Sequence, residues 1–148
     1  MSSKVLLTDT DIWNKLYPVS QDKAFIKSSI DFAQKVLGYK SNGNYGSRSG
    51  EIKMTAGGPL KWTPDNSEIQ IYNTPNRNFY CVENPDAITT ASKSARVIAR
   101  YSDSGAPAGV AYQGDGYKSV SYGFPLETLQ NPDHLKSIMG ASLMYLEK

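Results

Sequence analysis

The last third of the chain, Pro107 to Lys148, constrains the fold more than any other stretch. It predicts two strands joined by a tight turn at Gly114-Asp115-Gly116, then a loop with two prolines and a closing helix that begins near Asn131-Pro132-Asp133. The apolar positions that support this interpretation are Val110, Tyr112, Val120, Tyr122 and Phe124 in the strands, and Leu135, Ile138, Met139, Leu143 and Leu146 in the helix. We therefore expect a sheet that is covered by a C-terminal helix.

A second helix is predicted from about Asp22 to Leu37, because its apolar residues recur at the helical period. Gly38 follows directly, at the position where a left-handed residue commonly ends a helix. We expect the apolar face from Phe25 to Leu37 to cover the sheet together with the closing helix.

Short apolar or alternating runs predict the remaining strands, at Lys4–Thr8, Glu51–Thr55, Glu68–Tyr72, Phe79–Val82 and Ala95–Tyr101. Tyr39–Gly50 is rich in Gly, Ser and Asn, which is typical of a mobile surface loop. Ala87–Ser94 is small and polar, and predicts a loop or a short helix. The order of strand, helix, several strands and helix predicts a single α/β domain over residues 1–148, with a parallel core and antiparallel additions.

Charge and composition exclude several function classes. The 148 residues carry 16 basic and 14 acidic side chains with no basic cluster, so no nucleic-acid partner is predicted. No stretch is long enough to span a membrane. The single Cys81 excludes an internal disulfide, and the first residues do not form a secretory signal. With ten tyrosines and twelve glycines, the sequence favours a domain of a longer, secreted or cell-surface protein over an intracellular one.

The C-terminal stretch resembles class I glutamine-amidotransferase-like domains, in the form found in secreted bacterial proteins labelled xanthan lyase. The resemblance rests on Pro107–Ala111, on Tyr122–Thr128 (YGFPLET), on the helix from Met139 to Leu146, on Ala99–Asp103 and, less clearly, on Leu6–Trp13. It implies a flavodoxin-like sheet flanked by helices, of which this chain would be the later part. Such a partial domain would expose an apolar edge or surface, and we would then expect homodimers.

Active members of that family use a cysteine on a glycine-flanked turn, with a histidine and a glutamate further on. Cys81 has no flanking glycine, and the only histidine, His134, lies after Glu127 in the closing helix. One hypothesis is that Cys81 and His134 form a thiolate pair. The other is that Cys81 is a half-buried structural cysteine and His134 is a solvent-facing residue at the helix start, with no joint role. One Cys and one His fall short of a zinc ligand set, so no metal or cofactor is predicted.

Asp9 and Asp11 follow the first apolar run with one residue between them. Paired carboxylates at a strand end occur in haloacid-dehalogenase-like phosphatases, where one attacks phosphorus and the other is a general acid. The later acidic pair that would bind Mg²⁺ in such enzymes is missing, so a plain turn at Asp9 or Asp11 is the alternative.

Several aromatic residues lie in loop-like contexts, where their rings can pack against sugar rings or anchor the loops. Trp13, Tyr17, Tyr45 and Trp62 are the predicted ligand-binding residues, with Tyr39 in a similar context. The leading hypothesis for function is a non-catalytic, glycan-associated domain of a larger exported polysaccharide-processing protein. A hydrolase that uses Asp9 and Asp11 and a structural or oligomerisation module are the alternatives.

Overall fold

The structure is a computed structural model that describes residues 23–43, 45–61 and 68–147. It combines helices and strands, so the α/β class is confirmed in this coarse form. The helices are α1 (Lys23–Lys35) and α2 (Pro132–Glu147), with a short 3-10 helix at Leu126–Thr128. The strands are β1 (Tyr39–Ser41), β2 (Glu51–Met54), β3 (Ile69–Gln70), β4 (Ile88–Thr90), β5 (Ala95–Tyr101), β6 (Pro107–Gln113) and β7 (Lys118–Tyr122).

Within the described residues the strands form a five-stranded sheet in the order β3-β2-β5-β6-β7 and a two-stranded sheet of β1 and β4. Every pairing in both sheets is antiparallel. The expected parallel core is therefore not seen in this part of the chain. The reason lies in the connections, because residues 102–106 and 114–117 are too few to form the crossover that a parallel pair needs.

The strand predictions are confirmed for β2, β5, β6 and β7, and the Gly114–Gly116 turn joins β6 to β7 as expected. Phe79–Val82 is irregular rather than a strand, because Asn76 bonds the backbone of Asn78 and Phe79 and holds a turn there. Residues 88–90, expected in a loop or helix, form a strand that pairs with Tyr39–Ser41. The predicted strand at Lys4–Thr8 lies outside the described residues.

The main core lies between the five-stranded sheet and α2. Its fully buried side chains include Ile52, Ile98, Tyr101, Phe124 and Ile138. Tyr122 fixes β7 to α2, since its hydroxyl lies 2.8 Å from Ser142 Oγ, which itself donates to the Ile138 carbonyl. Because the serine proton is used for that carbonyl, the tyrosine hydroxyl is the donor of the pair. The closing helix thus covers the sheet as the sequence predicts.

Helix α1 does not cover the sheet in the way expected. Ala33 is its only buried residue, while Ile26, Ile30 and Phe32 are 40%, 50% and 46% exposed. Ala33 of α1 joins a small core cluster with Tyr39, Ile88, Ala95 and Val110, and Leu37, two residues after the helix, packs against the same cluster. The periodic pattern correctly predicted the helix, but it does not measure how deeply the apolar face is buried.

Gly38 lies three residues after the last residue of α1 and has φ +75°, the left-handed conformation that the sequence predicted for it. A Cβ at this position would also lie 2.2 Å from Cγ of Tyr112, so the chain approaches β6 closely here. Among the described residues, no helix is long and apolar enough to cross a membrane.

Candidate functional site

Most of the residues proposed from the sequence lie outside the part of the chain that the structure describes. These are Asp9 and Asp11 of the acidic hypothesis, and Trp13, Tyr17 and Trp62 of the aromatic one. Their roles remain predictions. Tyr45, Cys81 and His134 are described, and the site is built from their surroundings.

Cys81 is a free, half-buried thiol in the irregular segment that precedes Val82. Val82 N–H donates to the Tyr72 carbonyl at 2.9 Å, which holds this segment against the end of β3. His134 lies in the first turn of α2 and is half-buried rather than solvent-facing. Among the described residues, no three His, Cys, Asp or Glu side chains are grouped closely enough to hold a metal ion.

Four aromatic rings lie on adjoining loops and form what we call the aromatic surface: Tyr45, Tyr72, Phe79 and Tyr80. Tyr45 is 71% exposed, Phe79 56% and Tyr80 59%. The rings of Tyr72 and Phe79 stack in parallel, with centroids 4.7 Å apart and planes inclined by 2°. Tyr72 thus packs on one face of the Phe79 ring, and more than half of the Phe79 side chain is exposed.

Hydrogen bonds hold the loops that carry these rings. Asn76 Oδ1 accepts from the backbone N–H of Asn78 at 3.0 Å and of Phe79 at 2.7 Å, which fixes the backbone beneath the Phe79 ring. Gly46 N–H donates to the Pro85 carbonyl at 2.7 Å, and Asn73 Nδ2 donates to the Arg48 carbonyl at 2.8 Å. The Tyr45 loop therefore adjoins the segment that carries Tyr72, Phe79 and Tyr80.

The Tyr45 loop is also anchored to the turn between β5 and β6. Asp103 in that turn accepts hydrogen bonds from Ser47 Oγ and from the backbone N–H groups of Arg48, Ser49 and Ser104, at 2.8 to 3.0 Å. Desolvation acts to raise the pKa of Asp103, but these hydrogen bonds outweigh it and lower the pKa from 3.8 to about 2.

The prediction that Tyr39–Gly50 is a surface loop is therefore wrong in part, because Tyr39–Ser41 forms β1 and several later residues are buried. Tyr39 and Ser47 are buried, at 2% and 3% exposure. Gly46 is pressed so closely onto Tyr101 that a Cβ would lie 2.2 Å from the tyrosine ring. The Gly, Ser and Asn residues of this loop form turns and hydrogen bonds, so their abundance in the sequence did not indicate an unpacked segment.

An open cleft of about 500 Å³ lies at the other end of the β5–β6 hairpin, where β5 begins and β6 ends. We call it the basic cleft. It is lined by Pro59, Lys93, Ser94, Arg96, Ala111, Gln113, Gly114 and Tyr145. These residues come from four separate stretches of sequence, so no local motif could have revealed the cleft.

Sequence reasoning missed Tyr72 as a member of the aromatic surface, because it was assigned to the predicted strand Glu68–Tyr72. It also missed Phe79 and Tyr80, because the run Phe79–Val82 was interpreted as a strand. The signal that could have found them is Asn76, since an Asn side chain that bonds the backbone two and three residues on predicts a turn.

Comparison with known proteins identified no matching family model, no similar curated protein and no similar solved structure. The aromatic surface and the basic cleft are thus interpreted from their own chemistry.

Proposed function

We propose that this chain is a non-catalytic polysaccharide-binding domain, and that the aromatic surface is where it contacts the sugar rings. The observation that carries the proposal is the Tyr72–Phe79 stack, which presents one face of an exposed ring on a hydrogen-bonded turn. The C–H groups on one face of a pyranose are apolar and pack well against such a ring. The flanking rings of Tyr45 and Tyr80 would extend the contact along a chain of sugars.

The exposure of these rings, together with the hydrogen bonds that hold their loops, favours ligand binding over a purely structural role. A ring that serves to anchor a loop is expected to be buried, whereas Tyr45, Phe79 and Tyr80 are each more than half exposed. Because Asp103, Asn76 and Asn73 already fix the loops, little conformational entropy would be lost when a ligand binds.

The resemblance to amidotransferase-like domains would place this domain in a larger exported polysaccharide-processing protein. That placement rests on the resemblance alone. The antiparallel pairing of the described strands lends no support to the flavodoxin-like sheet that the same resemblance implied.

The proposal is tested by affinity gel electrophoresis in hydroxyethylcellulose and in soluble xylan, two neutral polymers. We expect at least one of them to retard the chain, and Phe79→Ala to weaken that binding about fivefold or more, as expected for about 1 kcal/mol of ring contact. Phe32→Ala is the matched control, because Phe32 is an exposed phenylalanine (46%) on α1, away from the aromatic surface.

Incubation with each polymer should release no reducing ends. The proposal fails if neither polymer retards the wild-type chain, or if Phe79→Ala and Phe32→Ala have the same effect. Release of reducing ends would contradict its non-catalytic part.

A further inference from the structure

We infer that the basic cleft is a separate binding site for an anionic sugar unit. The inference does not depend on the aromatic surface, which lies at the opposite end of the β5–β6 hairpin. It rests on the charge of the cleft, its size and the polar groups that it offers.

Three cations lie in or beside the cleft. Lys93 and Arg96 line it directly. Lys118 lies beside it, since it pairs with the cleft residue Gln113 across β6 and β7, and its Nζ is 5.2 Å from the centre of the Tyr145 ring. The lining residues that the structure describes include no carboxylate. Among the described residues, none of the three cations is within salt-bridge distance of an acidic side chain.

Arg96 is held in place without being neutralised. Its Nη1 donates to the carbonyl of Ala95 at 2.9 Å and to that of Lys93, so backbone oxygens orient the guanidinium and leave its positive charge unopposed. A guanidinium fixed in this way can form charge-assisted hydrogen bonds with a carboxylate or a phosphate at a small entropic cost.

The remaining lining suits a sugar rather than a bare anion. Gln113 and Ser94 offer an amide and a hydroxyl that can exchange hydrogen bonds with sugar hydroxyls, and the half-buried Tyr145 and Pro59 form an apolar wall. The volume of about 500 Å³ is within the range of small-molecule sites. Three cations are too few for the extended phosphate contacts that nucleic-acid binding needs.

The test is a titration followed by ¹⁵N–¹H correlation spectra, with glucose, glucuronate, glucose 6-phosphate and inorganic phosphate as probes. Glucuronate and glucose 6-phosphate share the ring of glucose and differ in the anion, so together they separate a carboxylated from a phosphorylated ligand. We expect at least one of them to shift the amide signals of Lys93, Arg96 and Gln113 saturably, with a Kd at least fivefold below that of glucose.

The variant Arg96→Gln should weaken that binding at least fivefold. Arg77→Gln is the matched control, since Arg77 is an exposed arginine in the loop between β3 and β4.

Equal effects of Arg96→Gln and Arg77→Gln on binding would overturn the inference. Equal shifts by glucose would overturn the role of charge, and inorganic phosphate binding as tightly as glucose 6-phosphate would overturn the role of the sugar ring. Absence of any saturable shift at the cleft would overturn the site itself. None of these outcomes depends on the neutral polymers that test the aromatic surface.

Discussion

Asp103 shows how a single side chain can organise a loop that is distant in sequence. Its carboxylate accepts hydrogen bonds from Ser47, Arg48 and Ser49, which hold this loop against the β5–β6 turn. It also accepts one from the backbone N–H of the adjoining Ser104. The loop thereby gains acceptors for N–H groups that no strand or helix satisfies. Tyr45 follows β1 and precedes this anchored stretch, so its ring is carried by a fixed backbone.

The first prediction concerns the stability that this carboxylate provides. Because the pKa of Asp103 is lowered from 3.8 in the unfolded chain to about 2, its contribution is present above about pH 4 and is lost as the pH falls from about 4 to 2. The carboxylate is exposed, so we discount the shift for solvent screening and expect Asp103→Asn to destabilise the fold by about 1 kcal/mol at pH 7.

The measurement is urea unfolding of wild type and Asp103→Asn at pH 7 and at pH 2.5. The difference between them should shrink at the lower pH, where the wild-type carboxyl is partly protonated. Asp115→Asn is the control, because Asp115 is an exposed residue of the β6–β7 turn. An Asp103→Asn effect that is the same at both pH values would show that charge is not the cause.

At the scale of elements, the two helices differ in how much of their apolar face they bury. Ile138 of α2 is fully buried against the sheet, while Ile30 of α1 is 50% exposed. Both helices were predicted from the same period of apolar residues, so the period alone does not distinguish them. Helix α2 packs on the main core cluster, which contains large side chains, whereas α1 contributes one small residue, Ala33, to a separate and smaller cluster.

This contrast predicts a large difference between two chemically identical substitutions. Ile138→Ala should lower the free energy of unfolding by about 2–5 kcal/mol, because it leaves a cavity in the core. Ile30→Ala should lower it by less than about 1 kcal/mol, because half of the side chain is already in water. Urea unfolding measures both values.

If Ile30→Ala lowers the free energy of unfolding by nearly as much as Ile138→Ala, the apolar face of α1 is covered in solution. Sedimentation velocity of the Ile30→Ala variant would then decide whether a second copy, as in the expected homodimer, is the cover.

At the scale of the whole molecule, the β5–β6 hairpin separates the two candidate sites. Its strands are seven residues long, so the two ends of the hairpin lie roughly 20 Å apart at about 3.3 Å per residue. A polymer that carries both uncharged rings and carboxylates could therefore engage the two sites of one domain, or bridge two chains.

This arrangement, which rests on both proposals, predicts how carboxymethylcellulose binds. Phe79→Ala and Arg96→Gln should each weaken its binding about tenfold or more, because either change removes the gain from a second attachment point. The double variant should bind more weakly than either single one. Affinity electrophoresis gives the values, and hydroxyethylcellulose, which lacks carboxylates, should respond to Phe79→Ala only. If one variant abolishes the binding and the other has no effect, a single site binds the polymer.

Local chemistry in the sequence was enough to predict most elements of the fold. Short apolar or alternating runs predicted β2, β5, β6 and β7, and the helical period of 3.6 predicted α1 and α2. Gly38 was expected just after the first helix because a residue without Cβ adopts the left-handed conformation easily. The order of the elements predicted a parallel core, and this prediction did not take account of the connections at 102–106 and 114–117, which are short enough to require antiparallel pairing.

What only the tertiary structure decided is which side chains meet. Asp103 and Ser47 are far apart in sequence, as are Arg96 and Tyr145, and nothing in the local pattern around any of them indicates the other. The same is true of the depth at which α1 lies and of the pairing between β1 and β4. Local sequence determines backbone preferences through sterics and periodicity, whereas burial and site geometry depend on the packing of segments that are brought together only when the whole chain folds.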